Sequence, residues 1–261
     1  MKKRYVVIPA CILGLCAGWL AFCGYAWSWG PFGKLHDLKT AKLSGNASQY
    51  GPESVKPLEH SPIRGKHIVF LGSSVTYGAA SKGVSFADYI AIRNNCTITK
   101  EAVSGTTLAD SGARSYISRL KDLDRNMKVD LFVCQLSTND ATQKKTLGVV
   151  SENEDYDTST VAGAIEYIID YAKMAWGCPV VFYTNPQYDS SEYAAMVDLL
   201  GKISKKWNIS VIDLWSDEAF NIITEEKRQL YMADPIHPTQ AGYLEWWTPV
   251  MEDALYEEIR R

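Results

Sequence analysis

The chain has 261 residues, 46% of them apolar and 22% charged, which suits one medium domain plus an appendage with a core that needs no disulfide or metal staple. The formal charge is −3. The first 33 residues hold three basic groups and no acidic one, so the rest carries 24 basic against 30 acidic groups, a balance of −6 that excludes a nucleic-acid partner.

Lys2, Lys3 and Arg4 precede an uncharged run from Tyr5 to Gly33. About 20 apolar residues suffice to cross a bilayer as a helix, and leading basic residues keep the N-terminus in the cytoplasm. Trp19, Tyr25, Trp27 and Trp29 gather toward the far end, where interfacial aromatic residues are expected. The run therefore predicts a single-pass transmembrane signal-anchor with the following domain outside the cytoplasm. A cleaved signal ending near Gly24-Tyr25-Ala26, which would release the protein, is the alternative. Lipoprotein processing at Cys16 or Cys23 is disfavoured by the bulky Leu15 and Phe22 before them. Cys96, Cys134 and Cys178 lie in or beside apolar runs without metal-ligand spacing and read as buried free thiols, with one disulfide, which an export context would permit, as the alternative.

Residues 34–62, rich in Gly, Ser, Asn and Pro, read as a linker. The chain thus divides into a stub and anchor over 1–33, a linker over 34–62 and a folded domain over 63–261. Within that domain, strands are predicted at His67–Leu71, Cys96–Val103, Val129–Leu136, Pro179–Thr184 and Ile209–Leu214. Helices are predicted at Ser85–Arg93, Gly112–Leu123, Thr160–Trp176 and Ser191–Trp207, with a last one after Pro238 that runs to about Ile259. Gly148–Thr160, with its acidic cluster, reads as a long exposed loop. Short apolar runs without alternation suit strands covered on both faces, and helices between them impose parallel pairing. The fold class is α/β: a three-layer α/β/α sandwich on a five-stranded parallel sheet, with active-site residues at the carboxyl ends of the strands.

Four clusters follow predicted strands. Gly72-Ser73-Ser74-Val75-Thr76-Tyr77-Gly78 puts a serine in a strand-to-helix turn, where it either exposes a nucleophilic hydroxyl or caps the helix. Ser104-Gly105-Thr106-Thr107 is either a backbone N–H donor site or an ordinary turn. Ser137-Thr138-Asn139-Asp140 offers an amide donor or a cap. In Asp234-Pro235-Ile236-His237-Pro238 the carboxylate is three residues before the imidazole and can fix its tautomer. Too few His, Cys and clustered carboxylates accompany it for a metal site.

From about Lys66 to the C-terminal helix the pattern resembles the SGNH (GDSL-type) hydrolases, whose first signature is Gly-Asp-Ser-x-Thr-x-Gly. Aligning Thr76 and Gly78 makes Ser74 the nucleophile and puts Ser73 in place of the usual aspartate. The resemblance implies a flavodoxin-like SGNH fold. Gly105 and Asn139 would join the Ser74 N–H as oxyanion donors, and Asp234 with His237 would complete the catalytic triad. Ser137 replaces a glycine and is expected to add bulk beside the oxyanion site and so to narrow the acyl pocket.

The implied activity is a serine esterase working through an acyl-enzyme, with no metal or organic cofactor. The expected substrate is a small O-acyl group on an envelope glycan, with Tyr77, Tyr183, Trp246 and Trp247 either stacking on sugar or packing the core. An O-acyltransferase, a lipase or lysophospholipase, and a catalytically silent carbohydrate-binding scaffold are the alternatives. Oligomeric state is not legible.

Overall fold

The computed structural model describes residue 14, residues 16–24 and residues 34–261. Most of the Tyr5–Gly33 run, Cys11 included, lies outside the described residues. Among those described, no helix is long and apolar enough to cross a membrane.

Five strands, β1 (His67–Gly72), β2 (Thr97–Ala102), β3 (Leu131–Gln135), β4 (Val180–Tyr183) and β5 (Ser210–Ile212), form one sheet in the order β2-β1-β3-β4-β5. Every pairing is parallel. Alternate residues of the central strands enter two separate cores. Val69, Leu71, Phe132, Cys134, Val180 and Phe182 face one side, whereas Ile68, Phe70, Leu131, Val133, Val181 and Tyr183 face the other. Burial on both faces is why these strands read as unbroken apolar runs.

The first core is closed by helices Tyr116–Asp122, Val161–Trp176 and Ser191–Trp207, the second by Phe86–Asn94 and Thr248–Arg260. The two long helices are delimited by local chemistry. Thr160 and Ser190 accept the N–H groups of Gly163 and Tyr193, and Gly177 and Asn208 end each helix in the left-handed conformation. The result is the expected three-layer α/β sandwich.

The closing helix departs from regularity. A π-helical turn, Gly242–Trp247, leads into Thr248–Arg260. At Gly242 a β-carbon would come within 2.2 Å of the Tyr231 carbonyl oxygen, so glycine lets the helix pass close to that segment. Cys96, Cys134 and Cys178 are free and buried.

The segment read as a linker is instead packed onto the domain over much of its length. Three 3-10 turns, Ser44–Asn46, Ser48–Tyr50 and Pro52–Ser54, follow helix Lys34–Thr40. Asn46 is buried; its amide donates to the carbonyls of Thr40 (2.8 Å) and Ala80 (2.7 Å) and its Oδ1 accepts from Gln240 N–H (2.8 Å). Lys82 Nζ reaches the Asn46 carbonyl at 2.6 Å, and the Tyr89 hydroxyl donates to the Tyr50 carbonyl at 2.6 Å. Polar side chains that saturate buried backbone groups leave no hydrophobic period, which is why this docking escapes a search for apolar patterns.

Candidate active site

The carboxyl edge of the sheet gathers all four clusters. β1 ends at Gly72, and the chain turns through Ser73 into the short helix Ser74–Tyr77. A β-carbon on Gly72 would come within 1.7 Å of Thr76 Oγ1, so only glycine permits a turn this tight. Gln135, fully buried at the end of β3, ties the turn down. Its Oε1 accepts from Ser73 N–H and Thr76 Oγ1 at 2.9 Å each, with longer contacts from Ser73 Oγ and Thr76 N at 3.3 Å. Thr76 Oγ1 also meets the Tyr183 hydroxyl at 2.6 Å. Ser73 therefore turns its hydroxyl inward, and Ser74 turns outward.

Ser74 Oγ lies 2.8 Å from His237 Nε2. His237 Nδ1 lies 2.8 Å from Asp234 Oδ2 and 3.0 Å from Oδ1. With the ring proton on Nδ1, the carboxylate accepts it and Nε2 is left to accept the serine proton. The loop carrying the pair is held locally. Met232 and Pro238 form an antiparallel bridge, Ala233 N–H donates to the His237 carbonyl at 2.9 Å, and Asn185 Nδ2 donates to the Ile236 carbonyl at 3.1 Å.

Asp234 Oδ1 also accepts the N–H groups of Ile236 (2.8 Å) and His237 (2.9 Å). Burial pushes this carboxyl up, but the His237 ring and the two backbone N–H groups outweigh burial and hold it at about 2. A folded-state value below the usual carboxylate range means that the unfolded chain binds more protons in the acid window. Asp234 thus stabilises the fold above the ordinary Asp range, and that contribution is lost as pH falls through about 2. Urea unfolding measured from pH 4 down to pH 2 should show a steeper loss of stability in the wild type than in Asp234→Asn. The difference is small because part of the carboxylate faces solvent. Equal slopes would show that the pair does not hold the Asp234 carboxyl below its unfolded value.

The next two clusters share one loop. Gly105 adopts φ +80°, and a β-carbon there would meet nothing within 4 Å, so its backbone opens onto free space. Asn139 stands in the first turn of the short helix Thr138–Thr142 and donates through Nδ2 to the Thr106 carbonyl at 3.0 Å, which leaves its second amide hydrogen available. Ser137 is fully buried; it accepts from Asn139 N–H at 3.1 Å and donates to the Thr106 carbonyl at 3.2 Å. Its hydroxyl braces the loop beside Asn139. Asp140 accepts from the N–H groups of Leu108 (2.7 Å) and Ala109 (3.0 Å). Burial pushes its carboxyl up to about 6, against the pull of those two donors.

Ser74, His237 and Asp234 thus form one hydrogen-bonded set, and Asn139 and Ser137 are tied to the loop that carries Gly105. Of the aromatic residues, Tyr183 and Trp247 are fully buried and belong to the core, and Trp246 stacks on Phe220 with ring centroids 4.4 Å apart. Only Tyr77, 46% exposed, remains available to a ligand among these four. Sequence reasoning missed Gln135 and Asn185, because buried amides inside strand-end segments carry no periodic signal.

Residues 70–244 match the model of the GDSL-like lipase/acylhydrolase family. The chain belongs to that family. Its members are ester hydrolases, and the carboxylic ester hydrolase class follows for this chain. No curated protein gives a significant match. Among solved structures, a protein from Lactobacillus plantarum aligns with a TM-score of 0.58 at 18% identity, covering 74% of this chain and 96% of the other. A protein assigned as a GDSL-like lipase from Bacteroides ovatus aligns at 0.57 and 19%, covering 74% and 98%. A family two carbohydrate esterase from Clostridium thermocellum, in complex with cellohexaose, aligns at 0.51 and 15%, covering 78% of this chain and 65% of that one. At these identities the likeness speaks to the fold alone.

Proposed function

We propose that this GDSL-type esterase removes a small O-acyl group from an envelope glycan, with Ser74 as nucleophile, His237 as general base and acid, and Asp234 as the group that orients and charges the imidazole. The observation that carries the reading is the unbroken relay Asp234–His237–Ser74, with contacts of 2.8 Å on either side of the imidazole. Ser74 Oγ attacks the ester carbonyl and its proton passes to His237 Nε2. The carbonyl oxygen becomes an oxyanion held by the N–H groups of Ser74 and Gly105 and the free amide hydrogen of Asn139. Collapse expels the alcohol, which takes the proton from His237. A water then adds to the acyl-enzyme, gives its proton to His237, and frees the acid as Ser74 recovers its own.

The surroundings favour a small acyl group on a polar alcohol. The cavity beside Gly105, about 260 Å³, is lined by Ser104, Thr106, Ser111, Arg114 and Ser115, with no large apolar side chain to hold a long acyl chain. Asp234 borders a second cavity of about 460 Å³, where Gln187, Asp189, Arg228 and Gln229 offer the donors and acceptors that sugar hydroxyls require. The carbohydrate esterase among the structural neighbours is in keeping with this. Turnover of 4-nitrophenyl esters of graded chain length by the full chain, alongside acetylated glycans, tests it. Acetyl preference with release of acetate from glycan supports the proposal, and preference for long chains replaces it with a lipase.

Asn139→Ala is expected to lower kcat by roughly 10²–10³, with KM little changed, because its amide is asked to meet a charge present only in the transition state. A large rise in KM at unchanged kcat would reassign Asn139 to substrate binding.

The uncharged Tyr5–Gly33 run behind three basic residues supports a single-pass anchor with the hydrolase domain outside the cytoplasm. Cell fractionation and protease shaving should find the full-length chain in the membrane with its domain accessible from outside. Protein free in the medium and starting near residue 27 would show a cleaved signal.

A further inference from the structure

Helix Tyr116–Asp122 presents a single buried cation, Arg119, 6% exposed, beneath the loops that carry Ser74 and Gly105. Its five N–H groups all find acceptors. Nη2 donates to the Gly72 carbonyl at 2.8 Å and to Thr106 Oγ1 at 3.1 Å. Nη1 donates to the Glu101 carbonyl (2.9 Å) and carboxylate (3.1 Å), and Nε donates to the Arg114 carbonyl at 3.2 Å. The guanidinium also lies 5.2 Å from the Tyr116 ring centroid, within the range of a cation–π contact.

Those acceptors belong to separate pieces of the site. Gly72 is the last residue of β1, two before Ser74. Thr106 follows Gly105, its hydroxyl donates to the Val103 carbonyl at 2.7 Å, and its carbonyl receives Asn139 Nδ2. One rigid fork therefore spans the nucleophile turn and the oxyanion loop, and the loop in turn holds Asn139. The sheet ladder adds one backbone link, from Val103 N–H to the same Gly72 carbonyl at 3.3 Å, and Arg119 adds the side-chain link to Thr106.

We infer that Arg119 is a positioning residue: it sets the separation between Ser74 Oγ and the Gly105 N–H, and so the alignment of nucleophile and oxyanion donors. A surface arginine would not need this geometry, and a lysine cannot reproduce it. The planar five-donor fork reaches acceptors in several directions at fixed angles, whereas an ammonium is a point charge on a flexible stem. The inference rests on the esterase reading above, because it assigns Arg119 a part in that chemistry.

Kinetics of the full chain with 4-nitrophenyl acetate test it. Arg119→Ala should lower kcat about 100-fold with little change in KM, since a displacement of about 1 Å between reacting groups costs that much. Guanidinium chloride at concentrations below those that unfold the protein should restore part of the lost rate, by refilling the space. Because loss of Arg119 strands buried carbonyls and could unfold the chain, Thr106→Val, which keeps the arginine and removes one acceptor, provides the second test. It should lower kcat about tenfold at unchanged KM and an unchanged circular dichroism spectrum, with Thr106→Ser, which keeps the hydroxyl, recovering most of that loss. The inference is overturned if Arg119→Ala keeps kcat within twofold, or if Thr106→Val turns over at the wild-type rate while guanidinium restores nothing. Wild-type protein without turnover would overturn the esterase reading and this inference with it.

Discussion

His237→Ala is expected to reduce kcat by about 10⁶-fold while leaving KM within a few-fold of the wild type, the size of loss that follows removal of the base from a serine triad. The reason lies in the position of the ring. Nε2 is 2.8 Å from Ser74 Oγ, the donor whose proton must leave for attack to occur. His67, the nearest rival in sequence, is engaged elsewhere: its Nδ1 is 2.7 Å from the Lys128 carbonyl and its Nε2 is 2.9 Å from Thr99 Oγ1. Asp234→Asn should be milder, about 10⁴-fold, since the imidazole stays in place and only its orientation and charge support are disturbed. The asparagine oxygen can still accept the backbone N–H groups of Ile236 and His237, but an amide NH₂ turned toward Nδ1 favours the ring tautomer with its proton on Nε2. That tautomer cannot accept from Ser74. Steady-state kinetics of both variants decide the matter. Near-full activity in His237→Ala would remove the base from the proposal, and a greater loss in Asp234→Asn than in His237→Ala would reverse the roles.

Much of this site was legible because its parts sit where the chain punctuates itself. β1, β3 and β4 are short apolar runs covered on two faces, and the limits of all five strands agree with the predicted ones to within one or two residues. Gly72, Gly105, Asn139 and His237 follow strands or close the last loop, and their spacing is local. What remained hidden is chemistry between distant segments. Arg119 sits on an amphipathic helix where a basic residue ordinarily faces water, and only the fold shows it turned under two loops. Gln135 looks like the polar end of a strand, yet its single oxygen collects the donors of the nucleophile turn. Asn46 sits in a stretch that looks like a linker, but its side chain meets Thr40, Ala80 and Gln240. Ser137 reads as bulk beside the oxyanion site, and only the fold shows that its hydroxyl also braces the Thr106 loop. In each case the signal is a hydrogen bond across many residues, which neither composition nor period encodes.

The choice between adjacent serines gives the other large effect. Ser74→Ala is expected to abolish ester turnover, a loss of about 10⁶-fold in kcat, and to abolish covalent labelling by a fluorophosphonate probe. Ser73→Ala should keep the labelling and most of the rate. The two hydroxyls face opposite ways across the turn: Ser74 Oγ meets His237 Nε2 at 2.8 Å, whereas Ser73 Oγ is fully buried and 3.3 Å from Gln135 Oε1. That second contact is long, and the turn stays tied by Ser73 N–H and Thr76 Oγ1, each 2.9 Å from the same oxygen. Loss of the Ser73 hydroxyl therefore removes at most an interaction worth about 1 kcal/mol, which is felt in stability before it is felt in rate. Ser73 also occupies the position where the GDSL signature has aspartate, so its removal tests whether the turn still depends on a polar side chain there. Peptide mapping of the labelled wild type places the adduct directly. An adduct on Ser73, or full labelling of Ser74→Ala, would move the nucleophile by one residue and break the alignment with Thr76 and Gly78. Absence of both adduct and turnover in the wild type would make the chain a scaffold that keeps the geometry of a hydrolase without its chemistry.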